Sequence, residues 1–100
     1  LRSSADYAAA KGGLIALTFC LARRYAPLGI TANVVAPGTI ETDLNRNWPQ
    51  EAIRAILDHT PLGHLGQPKD VAVAVAFLAS EEASYITGEV LDINGGFLMD

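Results

Sequence analysis

The sequence predicts an α/β fold, the carboxyl-terminal part of a doubly wound parallel sheet that is incomplete in this chain. Two short β-branched segments, Gly29–Ala36 and Gly88–Ile93, are separated by a stretch with helical signals, which is the order of a parallel β-α-β crossover. A long run of helix-forming residues precedes the first segment. Because two strands alone make a poor independent sheet, we expect further strands from additional chain or from a partner.

Composition and charge exclude several classes of protein. Half of the 100 residues are apolar and 18% are charged, which excludes disorder. The net charge of −4 leaves no basic stripe for a phosphate backbone, so no nucleic-acid partner is expected. The nearly charge-free run Gly12–Ala22 is too short to span a bilayer, so no membrane segment is expected. We expect the single cysteine, Cys20, to be a small buried hydrophobe and the location to be the reducing cytoplasm.

The first predicted element is one long helix from Ala5 to about Ala26. It contains no internal proline, and Pro27 stops it just beyond Arg23 and Arg24, whose charges suit the carboxyl end of a helix. Its apolar residues do not keep to one stripe, so we expect other surfaces to cover more than one of its faces.

The middle of the chain is predicted to alternate between loops and one short helix. The strand Gly29–Ala36 ends at Pro37-Gly38, and the residues up to Arg46 have the composition of a loop. A helix is predicted over Gln50–Asp58, introduced by Trp48-Pro49.

The last part of the chain is predicted to hold a third helix and the second strand. Pro68 suits the first position of a helix that runs to about Ser80, with Asp70 in its first turn, where the macrodipole favours a negative charge. The alternation of valine and alanine over 71–76 also fits a strand, but the start signal at Pro68 favours the helix.

Tyr7 and Lys11 are the candidate catalytic pair. They are four residues apart on the predicted first helix, so both project from one face about 6 Å apart along its axis. A tyrosine is a weak acid–base group at neutral pH, but an adjacent ammonium favours the phenolate, and such a pair suits proton transfer to or from a carbonyl or alcohol oxygen. By itself, the spacing is equally ordinary for a surface pair.

The surroundings of this pair resemble the second half of the short-chain dehydrogenase/reductase family. The resemblance covers essentially the whole chain in the order of the family, and its closest branch is that of the 3-oxoacyl-carrier-protein reductases and glucose dehydrogenase-like members. The matching segments begin with Tyr7-Ala-Ala-Ala-Lys11 through Thr18, Gly29 through Asp43, and Pro61-Leu-Gly63, and continue with Gly66 through Ala72, Phe77-Leu-Ala-Ser80, and Ile86 through Gly96.

The resemblance implies a Rossmann-type fold and a set of site residues. Tyr7 would be the general acid–base, and Lys11 would favour its phenolate and hydrogen-bond the nicotinamide ribose. Both therefore count as catalytic and cofactor-binding residues. Pro37-Gly38, Ile40 and Thr42 would hold the nicotinamide end of NAD or NADP. Without the rest of the match, Pro37-Gly38 alone would be interpreted as a plain turn that ends a strand.

Departures from the family pattern predict that this chain is a piece of something longer. The family's glycine-rich turn for the pyrophosphate has no match, because Gly12-Gly13 lies inside a predicted helix and Gly95-Gly96 follows the last strand. The family's catalytic serine and asparagine would precede Leu1, and Ser3 and Ser4 are too close to Tyr7 to replace the serine. Asn94 stands where many relatives have aspartate. We therefore expect residues 1–100 to be the carboxyl-terminal segment of one domain whose amino-terminal dinucleotide-binding half is absent.

Two further groups of residues have alternative interpretations. His59 and His64 lie in a segment without cysteine or a third histidine, so no metal site is expected. Trp48 and the apolar residues of the 50–58 helix either form a mobile flap over the substrate or simply pack against the body.

The resulting prediction is an NAD(P)-dependent oxidoreductase that transfers a hydride between the cofactor and a carbonyl or secondary alcohol substrate, with the 100-residue chain inactive alone. The alternative is a non-catalytic oligomerisation module derived from the same fold. Because the helices at 5–26 and 68–80 carry apolar residues that the family places in subunit contacts, we expect a homodimer or homotetramer. The sequence distinguishes neither NAD from NADP nor the direction of the reaction.

Overall fold

A computed structural model describes residues 4–99. The expectations that concern Leu1 and Ser3 lie outside these residues. The helices are α1 (Ala5–Tyr25), α2 (Gln50–Asp58) and α3 (Pro68–Leu78), the strands are β1 (Val34–Pro37) and β2 (Val90–Ile93), and short 3-10 turns cover Ala26–Leu28 and Glu81–Ala83. The three predicted helices are confirmed, and the turn at Glu81–Ala83 was not predicted.

Helix α1 begins and ends at local signals. The hydroxyl of Ser4 accepts a hydrogen bond from the Tyr7 N–H at 3.3 Å, which makes Ser4 the amino-terminal cap. Arg23 and Arg24 lie in the last turn, as predicted. The helix ends at Tyr25, where a 3-10 turn takes over and closes at Gly29, whose φ of 78° is left-handed.

The first strand is shorter than predicted. The expected strand Gly29–Ala36 was wrong at its start, because Gly29 closes the preceding turn and regular pairing begins only at Val34. Before that point one backbone hydrogen bond remains, from the Gly88 N–H to the Ala32 carbonyl at 2.8 Å, and side chains supply the other links. The Ala32 N–H donates to the Thr87 hydroxyl at 3.0 Å, and the Asn33 amide oxygen accepts from the Glu89 N–H at 3.0 Å.

Strands β1 and β2 are hydrogen-bonded neighbours and run parallel, as predicted. The Val34 N–H donates to the Glu89 carbonyl at 2.8 Å, and the Gly38 N–H donates to the Ile93 carbonyl at 2.8 Å, so the pairing advances in the same direction along both strands. The second strand begins at Val90 instead of Gly88 because Gly88 adopts a φ of 73°, which regular strand backbone does not.

The described residues form two compact units. The first comprises the residues up to Val34 and Phe77–Leu91, and its interior contains Thr18, Ala22 and Ala83. A side chain at Gly88 would lie 3.8 Å from the Ala22 methyl group, so α1 approaches this glycine closely.

The second unit comprises Val35–Ala76 and the residues from Asp92 onward. Its buried residues are Ala36, Asn45 and Thr60. The Thr60 hydroxyl donates to the Ile56 carbonyl at 2.7 Å and so caps the end of α2. Two of these three buried residues are polar, and their hydrogen bonds explain how they are accommodated.

Much apolar surface on the helices is exposed. Leu14, Leu17 and Phe19 on α1 and Val73 on α3 all belong to the exposed residues, and no large side chain of the described residues is fully buried. The expectation that Cys20 is buried was wrong, because nothing in the described residues covers its side of α1.

One segment within residues 4–99, Ala5–Leu28, is long and apolar enough to cross a membrane by length and composition, with a mean hydropathy of 1.2. The expectation of no membrane segment rests on the shorter, nearly charge-free run Gly12–Ala22, which lies inside this segment. The core helix of a globular protein passes the same test, so the helix is weak support for a membrane span.

Candidate active site

Tyr7 and Lys11 project from the amino-terminal half of α1 in the first unit. Both are exposed, Tyr7 to 57%. The backbone there is fixed twice, because the Tyr7 N–H also donates to the carboxylate of Asp6 at 3.0 Å. Hydrogen bonds from the Ser4 side chain and from backbone N–H groups of Tyr7 and Asp6 hold the pKa of the Asp6 carboxyl below its ordinary value of 3.8. The first turn that carries Tyr7 is therefore well capped.

Gly38 follows Pro37, the last residue of β1, and its lack of a side chain has a structural reason. A Cβ atom at this position would lie 2.7 Å from the Cβ atom and 3.0 Å from the Cα atom of Asn94, which follows β2. Only glycine therefore allows the ends of the two strands to approach this closely. The sequence suggested close approach by a ligand, and the structure adds this contact within the protein.

Ile40 pairs with Gly66 in an isolated parallel bridge. The Gly66 N–H donates to the Thr39 carbonyl at 3.1 Å, and the Glu41 N–H donates to the Gly66 carbonyl at 2.8 Å. In such a bridge the backbone N–H and carbonyl of Ile40 itself point away from Gly66. The next residue after Gly66 makes a further link: the Gln67 side-chain amide donates to the Glu41 carboxylate at 2.8 Å.

Asn45 closes the loop that contains Ile40 and Thr42. Its side chain is 8% exposed. The amide nitrogen donates to the Ile40 carbonyl at 2.7 Å, and the amide oxygen accepts from the Thr42 N–H at 2.9 Å. Its backbone N–H also donates to the Thr42 carbonyl at 3.2 Å. Both predicted cofactor residues of this loop are thus held by one side chain.

Among the groups of Ile40 and Thr42, the N–H of Ile40 and the hydroxyl of Thr42 have no hydrogen-bond partner within residues 4–99. The first is a donor, and the second both donates and accepts. A planar carboxamide, which presents one acceptor and one donor group, is complementary to such a pair. These residues therefore fit the nicotinamide end of a dinucleotide.

The second unit also contains a cavity of about 300 Å³ at the carboxyl ends of its strands. Thr39 follows β1, Asn94 follows β2, and both line the cavity. Ligands of doubly wound sheets bind at this edge. The lining residues are Thr39, Ile56, Thr60, Leu62, His64, Leu65, Gly66, Asp70, Ile93, Asn94, Gly95 and Phe97.

Asn94 contributes to the turn beside this cavity. Its amide oxygen accepts from the Gly96 N–H at 2.9 Å, and its amide nitrogen donates to the Leu98 carbonyl at 3.1 Å. An ionised aspartate at this position would accept the first hydrogen bond but would lack the donor for the second. This gives a physical reason for the departure noted in the sequence.

The structure thus places Pro37, Gly38, Ile40 and Thr42 on one strand end and its following loop in the second unit, and Tyr7 and Lys11 on α1 in the first. The roles of these residues remain predictions. Sequence reasoning missed Asn45. The only available signal was an asparagine among loop residues, which is ordinary there.

The two histidines make local contacts. The Nδ1 atom of His59 lies 3.1 Å from the Ala55 carbonyl, and that of His64 lies 2.9 Å from the Leu65 carbonyl. Across the described part of the chain, no three His, Cys, Asp or Glu residues are grouped so that they could hold a metal ion.

Fold and loop together define a fragment of a Rossmann-type doubly wound α/β fold. A family model described as enoyl-(acyl carrier protein) reductase matches residues 1–98. The chain belongs to the short-chain dehydrogenase/reductase family, as the sequence predicted.

Relatives with known names are similar over nearly the whole chain. The 3-oxoacyl-(acyl-carrier-protein) reductase FabG of Salmonella typhimurium is 57% identical over 95 residues, which are 95% of this chain and 39% of the relative. The enzyme of the same name from Escherichia coli is 56% identical over the same shares. The chain therefore spans about two fifths of the length of these relatives.

A solved structure is similar in fold. The crystal structure of 3-oxoacyl-(acyl-carrier protein) reductase from Brucella melitensis matches with a TM-score of 0.91 and 36% sequence identity, covering 96% of this chain and 36% of that one.

Proposed function

We propose that this chain is the carboxyl-terminal segment of an NAD(P)-dependent reductase that transfers a hydride between the cofactor and a carbonyl or secondary alcohol. The observation that carries the proposal is the loop after β1, where Asn45 orders Ile40 and Thr42 while leaving one N–H and one hydroxyl for a ligand. The relatives named above favour a 3-oxoacyl thioester on acyl carrier protein as the substrate class.

Tyr7 is proposed to deliver a proton to the substrate carbonyl oxygen during reduction and to remove it during oxidation. Lys11 lies one helical turn further along α1, where its ammonium can stabilise negative charge that develops on the tyrosine oxygen during proton transfer and can donate to the ribose of the cofactor. The capped backbone at Ser4 and Asp6 fixes the direction in which the Tyr7 side chain leaves the helix.

Pro37, Gly38, Ile40 and Thr42 are proposed to hold the nicotinamide end of NAD or NADP. When bound, this cofactor supplies or accepts the hydride. The protein's part is to present the free Ile40 N–H and Thr42 hydroxyl on a loop that Asn45 holds in one conformation. NADP is the cofactor that the likeness to FabG favours.

The cavity at the strand ends is proposed to accept part of the substrate. Its apolar residues include Ile56 of α2, so movement of this helix would open or close the cavity. A mobile flap and simple packing of α2 both agree with a half-buried Ile56. We favour the flap, because a reductase has to admit its substrate and then exclude water.

The remaining proposals concern the whole protein. We propose that residues outside this sequence supply the pyrophosphate-binding half, that the 100-residue chain alone is inactive, and that the enzyme is a cytoplasmic homodimer or homotetramer. The similarity of the chain to two fifths of larger reductases supports the first two statements. The exposed apolar faces of α1 and α3 support the third.

The test is Tyr7→Phe in the full-length reductase, assayed with NADPH or NADH and a 3-oxoacyl thioester. Loss of the proton donor should reduce turnover by more than tenfold, which corresponds to more than about 1.4 kcal/mol of transition-state stabilisation, with cofactor affinity nearly unchanged. Tyr85→Phe is the matched control, because Tyr85 is fully exposed. A Tyr7→Phe enzyme that keeps more than a tenth of the turnover would contradict the assignment.

A further inference from the structure

We infer that Asn45 is a positioning residue for cofactor binding: its side chain sets the orientation of the backbone groups that would hold the nicotinamide end. This inference rests on the function proposed above and names the residue that shapes its cofactor loop. Asn45 lies only a few residues after Ile40 and Thr42 in the sequence, and its side chain makes hydrogen bonds to both of them.

The geometry separates a positioning role from general packing. The bridge to Gly66 fixes one side of Ile40 through its neighbours Thr39 and Glu41. The carbonyl of Ile40 points to the opposite side, where the amide nitrogen of Asn45 binds it at 2.7 Å. The peptide plane after Ile40 is therefore held at both edges, by Gly66 and by Asn45. The plane before it, which carries the free Ile40 N–H, is held by Gly66 through the Thr39 carbonyl, so Asn45 acts on this N–H through the adjoining plane.

Thr42 is constrained in the same way. Its N–H donates to the Asn45 amide oxygen at 2.9 Å, and its carbonyl accepts from the Asn45 backbone N–H at 3.2 Å. Both backbone groups are thus used within the loop. What remains for a ligand is the hydroxyl, on a backbone whose N–H and carbonyl are both held by Asn45.

Burial makes the chemistry of position 45 demanding. Asn45 is 8% exposed, whereas its neighbour Leu44 is 91% exposed. A buried side chain here must both donate and accept, because leaving either the Ile40 carbonyl or the Thr42 N–H unpaired is costly. Asparagine meets both needs. An ionised aspartate has no donor for the Ile40 carbonyl, whereas a protonated aspartic acid has one.

The test is Asn45→Asp in the full-length reductase, with the KM for the nicotinamide cofactor and kcat measured between pH 5 and pH 8. At neutral pH the introduced carboxylate faces the Ile40 carbonyl without a proton, so the cofactor KM should rise roughly tenfold with a smaller change in kcat. As the pH falls the neutral carboxyl donates again, and the KM should return toward that of the unmodified enzyme. Burial and the adjacent carbonyl raise the pKa of the introduced group, which brings this return into the measurable range.

Two further variants make the readout specific. Asn45→Ala removes both side-chain hydrogen bonds and should raise the KM at every pH without recovery. Asn47→Asp places a carboxylate two residues away at an exposed position and should change neither KM nor its pH dependence. The charged groups of the loop and of residues 66–70, whose first residue pairs with it, are Glu41, Asp43, Arg46, Lys69 and Asp70. All five are identical in the three variants.

Thermal unfolding of each variant separates this inference from a structural role. A cofactor KM that is unchanged in Asn45→Asp while the Tm falls would overturn the inference and leave Asn45 as a packing residue only. A raised KM without recovery at low pH would also overturn it. An unmodified protein with no cofactor-dependent activity would contradict the proposed function and the inference together, so the two failures are distinguishable.

Discussion

At the scale of single residues, the loop after β1 is shaped by contacts to glycine and asparagine. Gly38 is in contact with Asn94, and Gly66 is in contact with Ile40, whose Cδ1 atom would lie 2.6 Å from an added Cβ. Neither glycine has a positive φ within the described residues, so close packing accounts for both. The two glycines permit the loop and the strand ends to meet at the edge where the cavity lies.

Gly38→Ala should destabilise the full-length protein by about 1–3 kcal/mol, because the new methyl group would overlap the backbone of Asn94 and force it to shift. The free energy of unfolding in urea measures the change. Gly12→Ala is the matched control. Gly12 lies inside α1, where an added Cβ would meet no atom within 4 Å apart from the backbone of its own helix, and alanine there should stabilise the helix by about 0.5–1 kcal/mol. Equal effects of the two substitutions would contradict the proposed contact.

Sequence reasoning predicted the pair Tyr7 and Lys11 for a physical reason. The spacing of Tyr7 and Lys11 is a local helical property, so four residues suffice to predict that they share a face. The contact of Gly38 with Asn94 joins residues that are distant in sequence, and no local pattern encodes it. Asn45 acts through neighbours at short range, but its hydrogen bonds depend on a loop conformation that composition alone leaves open.

At the scale of elements, the observed bounds of the helices agree with the sequence predictions more closely than those of the strands do. Pro68 begins α3 and Gln50–Asp58 forms α2, both as predicted, because caps, prolines and charges act within one turn. The length of the first strand was overestimated, because regular pairing begins only at Val34. β-branched residues do not show where backbone pairing ends and side-chain hydrogen bonds, such as that of Asn33, begin.

The amino terminus of α1 should be sensitive to acid. Because the pKa of Asp6 in the folded protein lies below its ordinary value of 3.8, its contribution is present above that value and is lost as the pH falls through the lowered pKa. Tyr7 amide protection, measured by hydrogen exchange, should therefore drop in acid relative to the middle of α1. Asp6→Asn should show lower protection at neutral pH and no such drop.

The control for this prediction is Asp58→Asn. Asp58 is exposed at the carboxyl end of α2, where the macrodipole does not favour an anion, so its replacement should leave the protection of the Tyr7 amide unchanged. A pH response of Tyr7 that is identical in the Asp6→Asn protein would contradict the role of the carboxylate in the cap.

At the scale of the whole molecule, the apolar residues exceed what the described part of the chain covers. Sequence patterns predicted that more than one face of α1 would be covered, and within residues 4–99 Leu14, Leu17 and Phe19 remain exposed. An isolated two-stranded sheet is marginally stable in water, so we expect further strands and helix contacts to complete the fold. The chain matches only 39% of the length of the relative from Salmonella typhimurium, which supports this expectation.

Part of the exposed helix surface is available for a second copy of the protein. A stable interface buries about 800 Å² per partner, and the exposed apolar residues of α1 and those of α3 are each candidates to contribute to one. We therefore expect the full-length protein to sediment at micromolar concentration as a dimer or a tetramer made of dimers, with no appreciable monomer.

Leu17→Lys should weaken the assembly, because it places a charge on an α1 face in which Leu17 is 53% exposed. Leu44→Lys in the loop, at a residue 91% exposed, should leave the assembly unchanged. A folded, stable monomer of the unmodified protein would show that segments of the same chain, and not a partner, cover these faces.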